Sequence, residues 1–399
     1  MCDTQVLRAE NGIWFAKNSD REPQEPQAVV AVPAVRADPA RELRTTYLTI
    51  EQQPQRAAMI LCKPSWIWGA EMGFNEHGLV IGNEAIFSRQ RSKTPALLGM
   101  DLLRLGLERA QDCASAIEVI TGLLRKHGQG GPAGYTDKGF HYDSSFILAD
   151  PKEAWVLETA GREWVARRMD RFAAISNALS LERADLRSAQ AAEAWQKQDS
   201  WMLPYFGRSR ERRALSLQCL ASTARGQADF AAFASHLRTH ATETEDPLQG
   251  SNADICMHAA GPIRRSQTTG SLVVWLGAEG IRAMATGTSA PCLSLFRPLQ
   301  FGAESSLLSD SADRAPLWSA WEPVQRAALF DHAFRMRLRA RIAAEEARWL
   351  PAWMEAGADA QALDAPLHAA VQEILQWPRP EMPKKLWGAP RIWRQPIPV

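Results

Sequence analysis

The sequence predicts an α+β fold in which helices lie on antiparallel sheets. Short segments with strand-like alternation recur through the first 300 residues and are separated by turn dipeptides such as Asn11-Gly12. Residues 99–127 carry the helical period twice, and long amphipathic segments occupy 318–355 and 360–376. We therefore expect one sheet-rich domain over residues 1–300 and a helical extension with a Pro/Trp tail over 301–399.

Composition excludes several classes of protein. The chain has 399 residues, 46% of them hydrophobic and 23% charged, as in ordinary globular proteins. Its 46 basic and 45 acidic residues nearly cancel, which argues against a nucleic-acid surface. We expect no membrane partner and a cytoplasmic location, since the chain lacks both a run of about eighteen apolar residues and a signal-peptide pattern. Six widely spaced cysteines without a CxxC pair predict neither a disulfide framework nor a zinc ribbon.

The amino-terminal segment predicts a β-hairpin whose second strand returns to the start of the first. The turn signal is Asn11-Gly12, flanked by alternating residues on both sides. A two-residue turn there would pair Cys2 with Arg21, whereas a Glu10–Gly12 loop with a glycine bulge would pair Cys2 with Asp20. We favour the bulge, because it would place a carboxylate beside Cys2.

Cys2 is the candidate nucleophile. Removal of an initiator methionine before a small residue would leave Cys2 with both a thiol and a free α-amine. An ordinary α-amine has a pKa of about 7.7–8.0 and a thiol about 8.5, so the amine can accept the thiol proton near neutral pH. The alternative is an incidental cysteine on a frayed terminus.

Two asparagines, one within and one at the end of a predicted strand, and one glycine-rich loop are further candidate functional features. Asn83 lies within a strand predicted over 79–87; a buried amide there needs partners, so it is either an oxyanion donor or an outward-facing residue. Asn177 closes the last of four short strands predicted between residues 144 and 177. Residues 128–135 lack the Lys-Ser/Thr of a phosphate loop, and we interpret them as a mobile lid.

Three polar clusters in the second half carry weaker signals. The basic run Arg208–Arg213 is interpreted as a solvated helix face. Cys256-Met257-His258 is a weak metal motif without a matching partner pair, so no metal site is expected. Arg264 or Arg265, just before a predicted strand, could bind a substrate carboxylate or the site's own anions; the alternative is a surface arginine.

The carboxyl-terminal tail is rich in Trp and Pro. From Pro378 onward it contains Trp387 and Trp393 and too little regular pattern to fold alone. We expect it to dock, either on a neighbouring subunit of a homo-oligomer or on its own core.

Seven spaced motifs run in order from the first residue to about Pro298. They are Met1-Cys2-Asp3-Thr4, Lys17-Asn18-Ser19-Asp20-Arg21, Trp68-Gly69-Ala70-Glu71-Met72-Gly73 with Asn75-Glu76-His77-Gly78, Ile81-Gly82-Asn83-Glu84-Ala85, Ile175-Ser176-Asn177, Ser266-Gln267-Thr268-Thr269-Gly270-Ser271 and Pro291-Cys292-Leu293-Ser294. Together they resemble the secernins, a group within the cysteine dipeptidases that is related to choloylglycine hydrolases and penicillin V acylases.

The resemblance implies an N-terminal nucleophile hydrolase, a four-layer αββα sandwich that cleaves C–N amide bonds. It implies Cys2 as nucleophile with its amine as proton shuttle, Asp20 orienting the amine, Asn83 and Asn177 supporting the oxyanion and the amine, and Arg264 (or Arg265) as the arginine of the site. Lys17 stands where bile-salt hydrolases carry an arginine. Because lysine cannot form the guanidinium fork, bile-salt and penicillin substrates do not transfer directly.

The expected chemistry is acyl transfer from a small substrate through a Cys2 thioester, with no metal or organic cofactor. Dipeptides are the first substrate class, and small N-acyl amines or amino acids are the second. The alternative hypothesis is that the chain is a non-catalytic binding or regulatory protein in which Cys2 is blocked.

Overall fold

A computed structural model describes residues 1–242, 244, 246–355, 357–381, 393 and 396–398. Within these residues there are sixteen strands and eight α-helices. The strands are β1 (Cys2–Ala9), β2 (Gly12–Arg21), β3 (Gln27–Val32), β4 (Glu42–Arg44), β5 (Thr49–Glu51), β6 (Met59–Pro64), β7 (Met72–Asn75), β8 (Val80–Ile86), β9 (Asp143–Ala149), β10 (Ala154–Ala160), β11 (Glu163–Arg168), β12 (Phe172–Ile175), β13 (Leu186–Arg187), β14 (Gln267–Gly277), β15 (Gly280–Ala285) and β16 (Arg297–Leu299). The helices are α1 (Gly99–Arg109), α2 (Cys113–His127), α3 (Met202–Phe206), α4 (Ser209–Thr223), α5 (Phe230–Leu237), α6 (Pro316–Phe330), α7 (His332–Trp353) and α8 (Ala360–Leu375).

Two antiparallel sheets face each other across an apolar layer. The six-stranded sheet has the order β12-β1-β2-β14-β15-β16, and the eight-stranded sheet has the order β13-β11-β10-β9-β8-β7-β6-β3. Phe15 and Val274 from the first sheet join Ile60, Ile147 and Val156 from the second in one buried cluster. Alternation along each strand sends every second side chain into this layer, so both sheets contribute to the same core.

Helices cover both outer faces. On the eight-stranded sheet, α1 and α2 pack Leu103 and Ile120 into the same cluster as Leu148. On the six-stranded sheet, helices from the second half pack Phe233 and Trp321 into one cluster with Trp14, Val273 and Leu338. The order helix, sheet, sheet, helix confirms the predicted four-layer α+β sandwich.

Most of the predicted elements are present, and two differ. The strand expected over 66–74 is reduced to β7, because residues 65–71 form turns and bends. The single helix expected over 318–355 is two helices that break at Asp331. The Asp331 side chain accepts a hydrogen bond from the Phe334 N–H at 2.7 Å and so caps α7.

The opening hairpin has a register that neither alternative predicted. Ala9 pairs with Gly12, and Cys2 therefore pairs with Ser19. Only Gly12 of the Asn11-Gly12 pair has a positive φ, +133°, and it begins β2 instead of sitting at the centre of the turn. The turn is the two-residue Glu10-Asn11, one residue shorter than the loop that we favoured. Asp20 is therefore not the direct partner of Cys2.

The extension packs against the sheet-rich part of the chain. Trp393 is buried and donates its indole N–H to the Ala259 carbonyl at 3.0 Å, whereas Trp387 lies outside the described residues. The division at residue 300 stays a proposal; β16 ends just before it and α6 begins at Pro316. None of the helices described here is long and apolar enough to cross a bilayer.

Candidate functional site

A cavity of about 880 Å³ opens at the end of the first hairpin. Cys2, Asp20 and Arg21 from this hairpin line it, together with Glu71, which directly precedes β7, Ala85 from β8 and Arg264 from the loop before β14. Its size suits a small-molecule ligand. Residues from both sheets and from one loop therefore line the same cavity as Cys2, the candidate nucleophile.

Cys2 is buried at the cavity wall and is held by its main chain and its thiol. Its main-chain N–H donates to Asn177 Oδ1 at 2.8 Å. The thiol sulfur accepts a hydrogen bond from the Asp20 main-chain N–H at 3.3 Å and lies 3.9 Å from Glu71 Oε2. The nitrogen that would become an α-amine after loss of Met1 thus already has an oriented acceptor.

Asn177 is locked in place by its neighbours. Its Oδ1 also accepts from Arg212 Nη2 at 2.6 Å, and its Nδ2 donates to the Ala85 carbonyl at 3.0 Å. Asn177 Oδ1 is therefore an acceptor for the Cys2 nitrogen, and the Ala85 carbonyl takes one of the two N–H groups of the Asn177 amide.

Arg212 is the centre of a buried polar network that sequence analysis missed. It is fully buried on α4, and its Nε pairs with Asp3 Oδ2 at 2.9 Å. Its Nη2 donates to Ser176 Oγ at 2.8 Å as well as to Asn177. The interpretation of Arg208–Arg213 as a solvated face is wrong at this position, because the inward stripe of α4 includes Arg212, Ser216 and Leu220. That four-residue spacing was the available signal.

Asp20 contacts Cys2 through its main chain, and one oxygen of its carboxylate is held by Thr268. Oδ1 accepts from Thr268 Oγ1 at 2.6 Å, and Oδ2 is buried with no hydrogen-bond partner among the described residues. The Met1 ammonium donates to the Asp20 carbonyl at 2.9 Å. Burial raises the pKa of Asp20 to about 7, although the nearby ammonium opposes this.

With Met1 in place, the Cys2 thiol is poorly activated. Burial raises its pKa to about 12, while the charge of Lys17 acts in the opposite direction. A buried thiol of this kind stays protonated at neutral pH and needs an adjacent base.

The Lys17 side chain is buried in the layer between the two sheets. Its Nζ lies 3.2 Å from Glu84 Oε1, and both side chains are fully buried. Thr4 donates its hydroxyl to the same Glu84 oxygen. Burial raises the pKa of Glu84 to about 8, and Lys17 opposes this shift. Lys17 is therefore a structural partner of Glu84 and does not line the cavity.

The structure does not bring Asn83 to the cavity, which corrects its expected role. Strand alternation turns its side chain toward the helical layer, where its amide lies beside Gly99 and Ser144. A Cβ built on Gly99 would lie 2.8 Å from Asn83 Nδ2. It is Ala85, two residues farther along the strand, that lines the cavity.

Both candidate arginines line the cavity, in different ways. Arg264 donates to the carbonyls of Pro247, at 3.2 Å, and Leu248, so much of its guanidinium is engaged. Arg265 is exposed at the rim. The structure therefore leaves Arg265 as the more available cation.

The glycine-rich loop forms a wall of the cavity. Residues 128–131 are buried, and Ala133 and Gly134 line the cavity. The Tyr47 hydroxyl donates to the Pro132 carbonyl at 2.7 Å. The exposed stretch, 136–139, follows the residues expected to form the lid, most of which are buried.

Glu71 and Arg21 are further site residues without a role in the sequence analysis. Arg21 Nη1 lies 3.2 Å from Glu71 Oε1 and Arg21 Nη2 lies 2.7 Å from Glu25 Oε1. Glu71 thereby contacts both Arg21 and the Cys2 thiol. Both residues stand in the quoted motifs, but their meeting depends on two different sheets.

A second cluster corrects the expectation that Cys256-Met257-His258 has no partner pair. His240 and Cys292 lie beside Cys256 and His258, and the four side chains place their donor atoms within 4.8 Å of one another. Sequence spacing could not reveal this, because three separate segments supply the residues.

Comparison with known families gives one match within the chain. Residues 70–200 match the model of a family described as Peptidase family C69. The chain is similar to the C69 peptidases. This confirms the resemblance to a peptidase family, and it supports hydrolysis of amide bonds as the chemistry.

Several solved structures are similar to the chain at low sequence identity. A conjugated bile acid hydrolase from Clostridium perfringens is 10% identical, with a TM-score of 0.47 over 79% of this chain and 94% of that one. A penicillin V acylase from Agrobacterium tumefaciens is 13% identical, with a TM-score of 0.45 over 78% and 89%. The Caenorhabditis elegans ortholog of N-acylethanolamine-hydrolyzing acid amidase is 13% identical, with a TM-score of 0.40 over 69% and 92%.

Proposed function

We propose that this chain is a cysteine hydrolase that cleaves dipeptides with Cys2 as its amino-terminal nucleophile. The observation that carries the proposal is the 2.8 Å contact between the Cys2 nitrogen and Asn177 Oδ1, next to the Cys2 thiol at a cavity wall. Loss of Met1 would turn that nitrogen into an amine beside the sulfur. Nucleophile and base would then belong to one residue.

The reaction follows from this placement. The Cys2 amine takes the thiol proton, and the thiolate attacks the amide carbonyl. The resulting ammonium, oriented by Asn177, gives its proton to the leaving amine as the C–N bond breaks and a thioester forms. Water attacks the thioester, the amine again accepts the proton, and the acid leaves with regeneration of the thiol.

Oxyanion stabilisation is assigned to backbone N–H groups of the cavity, because Asn83 faces the helical layer. Preorganised donors of this kind contribute on the order of 10²–10³ in rate each. Asp20 supplies the unpaired Oδ2 as an acceptor for the charged amine during the reaction.

The charge of the cavity supports a zwitterionic substrate. Arg264 and Arg265 lie on one loop, while Glu22, Glu25 and Glu71 line the cavity from other segments. A guanidinium at the rim can bind the carboxylate of a dipeptide, and acidic groups favour its ammonium end. Arg265 is our choice for the carboxylate, since Arg264 donates to two carbonyls.

A second substrate class has its own support. Phe140, Leu203 and Pro262 give the cavity an apolar wall that suits the acyl group of a small N-acyl amine. The non-catalytic alternative predicts that this cavity binds ligands without turnover.

The test is a panel of dipeptides and N-acyl amides assayed for released amine, with wild type beside Cys2→Ala. Intact-mass measurement first establishes whether Met1 is absent. We expect turnover of dipeptides by the processed wild type and none by Cys2→Ala. Turnover only of N-acyl amides would favour the second class. A processed wild type with no turnover, or an active Cys2→Ala variant, would overturn the proposed mechanism.

Homo-oligomerisation and a cytoplasmic location remain proposals from the sequence. Light scattering of the purified chain and fractionation of cells that express it test them.

A further inference from the structure

Two cysteines and two histidines meet in a compact cluster away from the proposed chemistry. His240 Nε2 and His258 Nε2 are 3.2 Å apart. Cys256 Sγ lies 3.5 Å and Cys292 Sγ lies 3.3 Å from His258 Nε2. All four donor atoms lie within 4.8 Å of one another, so they can surround a single ion.

The separations of His258 Nε2 from the other three donor atoms match those of a tetrahedral zinc site. With Zn–N bonds of about 2.0–2.1 Å and Zn–S bonds of about 2.3 Å, tetrahedral ligands are separated by roughly 3.3–3.8 Å. The three contacts that His258 Nε2 makes, 3.2, 3.5 and 3.3 Å, fall at or close to that range. We propose that His240, Cys256, His258 and Cys292 bind one Zn²⁺ ion.

The chemistry of the donors selects the metal. Thiolate sulfur and imidazole nitrogen favour zinc and disfavour magnesium and calcium, which take oxygen ligands. Two thiolates also neutralise the charge of a divalent ion, which suits a cluster whose Cys256 and His258 are fully buried. Four protein ligands leave no open position, so the ion has a structural role and takes no part in hydrolysis.

The site would join three segments of the chain, one of which lines the cavity at Ala259. His240 follows α5, Cys256 and His258 precede the wall residue Ala259, and Cys292 lies in the short 3₁₀ turn after β15. Met257, between two of the ligands, donates its N–H to Thr268 Oγ1 at 2.9 Å. Thr268 in turn donates to Asp20 Oδ1 at 2.6 Å. Zinc would therefore hold the segment that positions Asp20.

Metal analysis of the purified full chain tests the site without reference to activity. We expect about one zinc per chain by mass spectrometry of the metal after expression in zinc-supplemented medium. Cys292→Ser and His240→Gln should each lose most of the metal. Cys219→Ser is the matched control, since Cys219 is also a partly buried free cysteine and should leave the zinc content unchanged.

Wild-type measurements keep the proposal falsifiable if those variants fail to fold. Modification of thiols with a mercurial should release zinc to a chromogenic chelator, and Co²⁺ exchange should give visible bands with a thiolate charge-transfer band. Wild type with no bound metal and no cobalt spectrum would overturn the proposal. An intact mass lower by the two hydrogens of a Cys256–Cys292 disulfide would also overturn it. Cys2→Ala must retain its zinc, so failure of the hydrolase mechanism and failure of the metal site are distinguishable.

Discussion

The two asparagines proposed from the sequence differ in what their amides contact. Asn177 accepts from the Cys2 nitrogen and from Arg212, and donates to the Ala85 carbonyl. Both amide atoms of Asn83 are buried without a hydrogen-bond partner among the described residues. Asn83 lies within β8, whereas Asn177 follows the end of β12 and reaches the Cys2 nitrogen, so the place of each asparagine in its sheet decides which groups its amide can contact.

This contrast gives a matched pair of variants. Asn177→Ala should lower kcat/KM by at least about 100-fold, since it removes the acceptor that orients the Cys2 amine, on the scale of general acid–base effects. Asn83→Ala makes the same chemical change away from the cavity and should keep kcat/KM within about threefold. Steady-state kinetics on folded, processed protein checks both values. Equal losses in the two variants would contradict the placement of the roles.

At the scale of elements, α4 contributes to the site through one inward-facing arginine. Arg212 pairs with Asp3, and both side chains are fully buried. Removing one partner of a buried ion pair leaves an uncompensated charge, which costs more than the pair itself contributes. The anchoring of α4 on β1 therefore depends on both members.

Arg212→Leu should lower the free energy of unfolding by about 3–5 kcal/mol. Adding Asp3→Leu should recover part of that loss, because the stranded carboxylate is gone. Arg210→Leu is the control: Arg210 is exposed on the same helix and should change stability by no more than about 0.5 kcal/mol. Denaturant unfolding measures all four proteins. A loss of less than about 1 kcal/mol for Arg212→Leu would show that the pair does not anchor α4.

At the scale of the whole molecule, buried carboxyl groups couple stability to pH. Burial raises the pKa of Asp20 to about 7 from an ordinary value of 3.8. Between these two values the folded state holds a proton that the unfolded state has released. The contribution of Asp20 to stability is thus fully present below about pH 4 and is lost as the pH rises toward 7.

Asp20→Asn isolates this contribution from that of other carboxyl groups. The difference in unfolding free energy, wild type minus variant, should fall by at most about 1.4 kcal/mol per pH unit between pH 4 and 7. Chemical denaturation at a series of pH values checks the slope. A difference that is flat or rises over this range would show that Asp20 is ionised in the folded protein, and an unchanged fold in Asp20→Asn is confirmed by circular dichroism.

The local sequence pattern predicted most of the strands and helices. It failed where contacts between residues distant in sequence determine the structure. Strands β9 to β12 and helices α1 and α2 follow from alternation and helical period. The hairpin register failed because Gly12 uses its positive φ to begin β2. Arg212 was assigned to solvent because its partner Asp3 lies 209 positions away in sequence.

The sequence by itself determined the local elements, the motifs that resemble the cysteine dipeptidases, and Cys2 as the candidate nucleophile. These properties depend on residues that are neighbours in the chain, where period, turn chemistry and residue type act directly. Only the tertiary structure decided that Asn177 holds the Cys2 nitrogen, that Asn83 turns away, and that His240 and Cys292 join Cys256 and His258. The physical reason is that burial forces polar groups to find partners, and the packing of sheets and helices determines which distant groups are within reach.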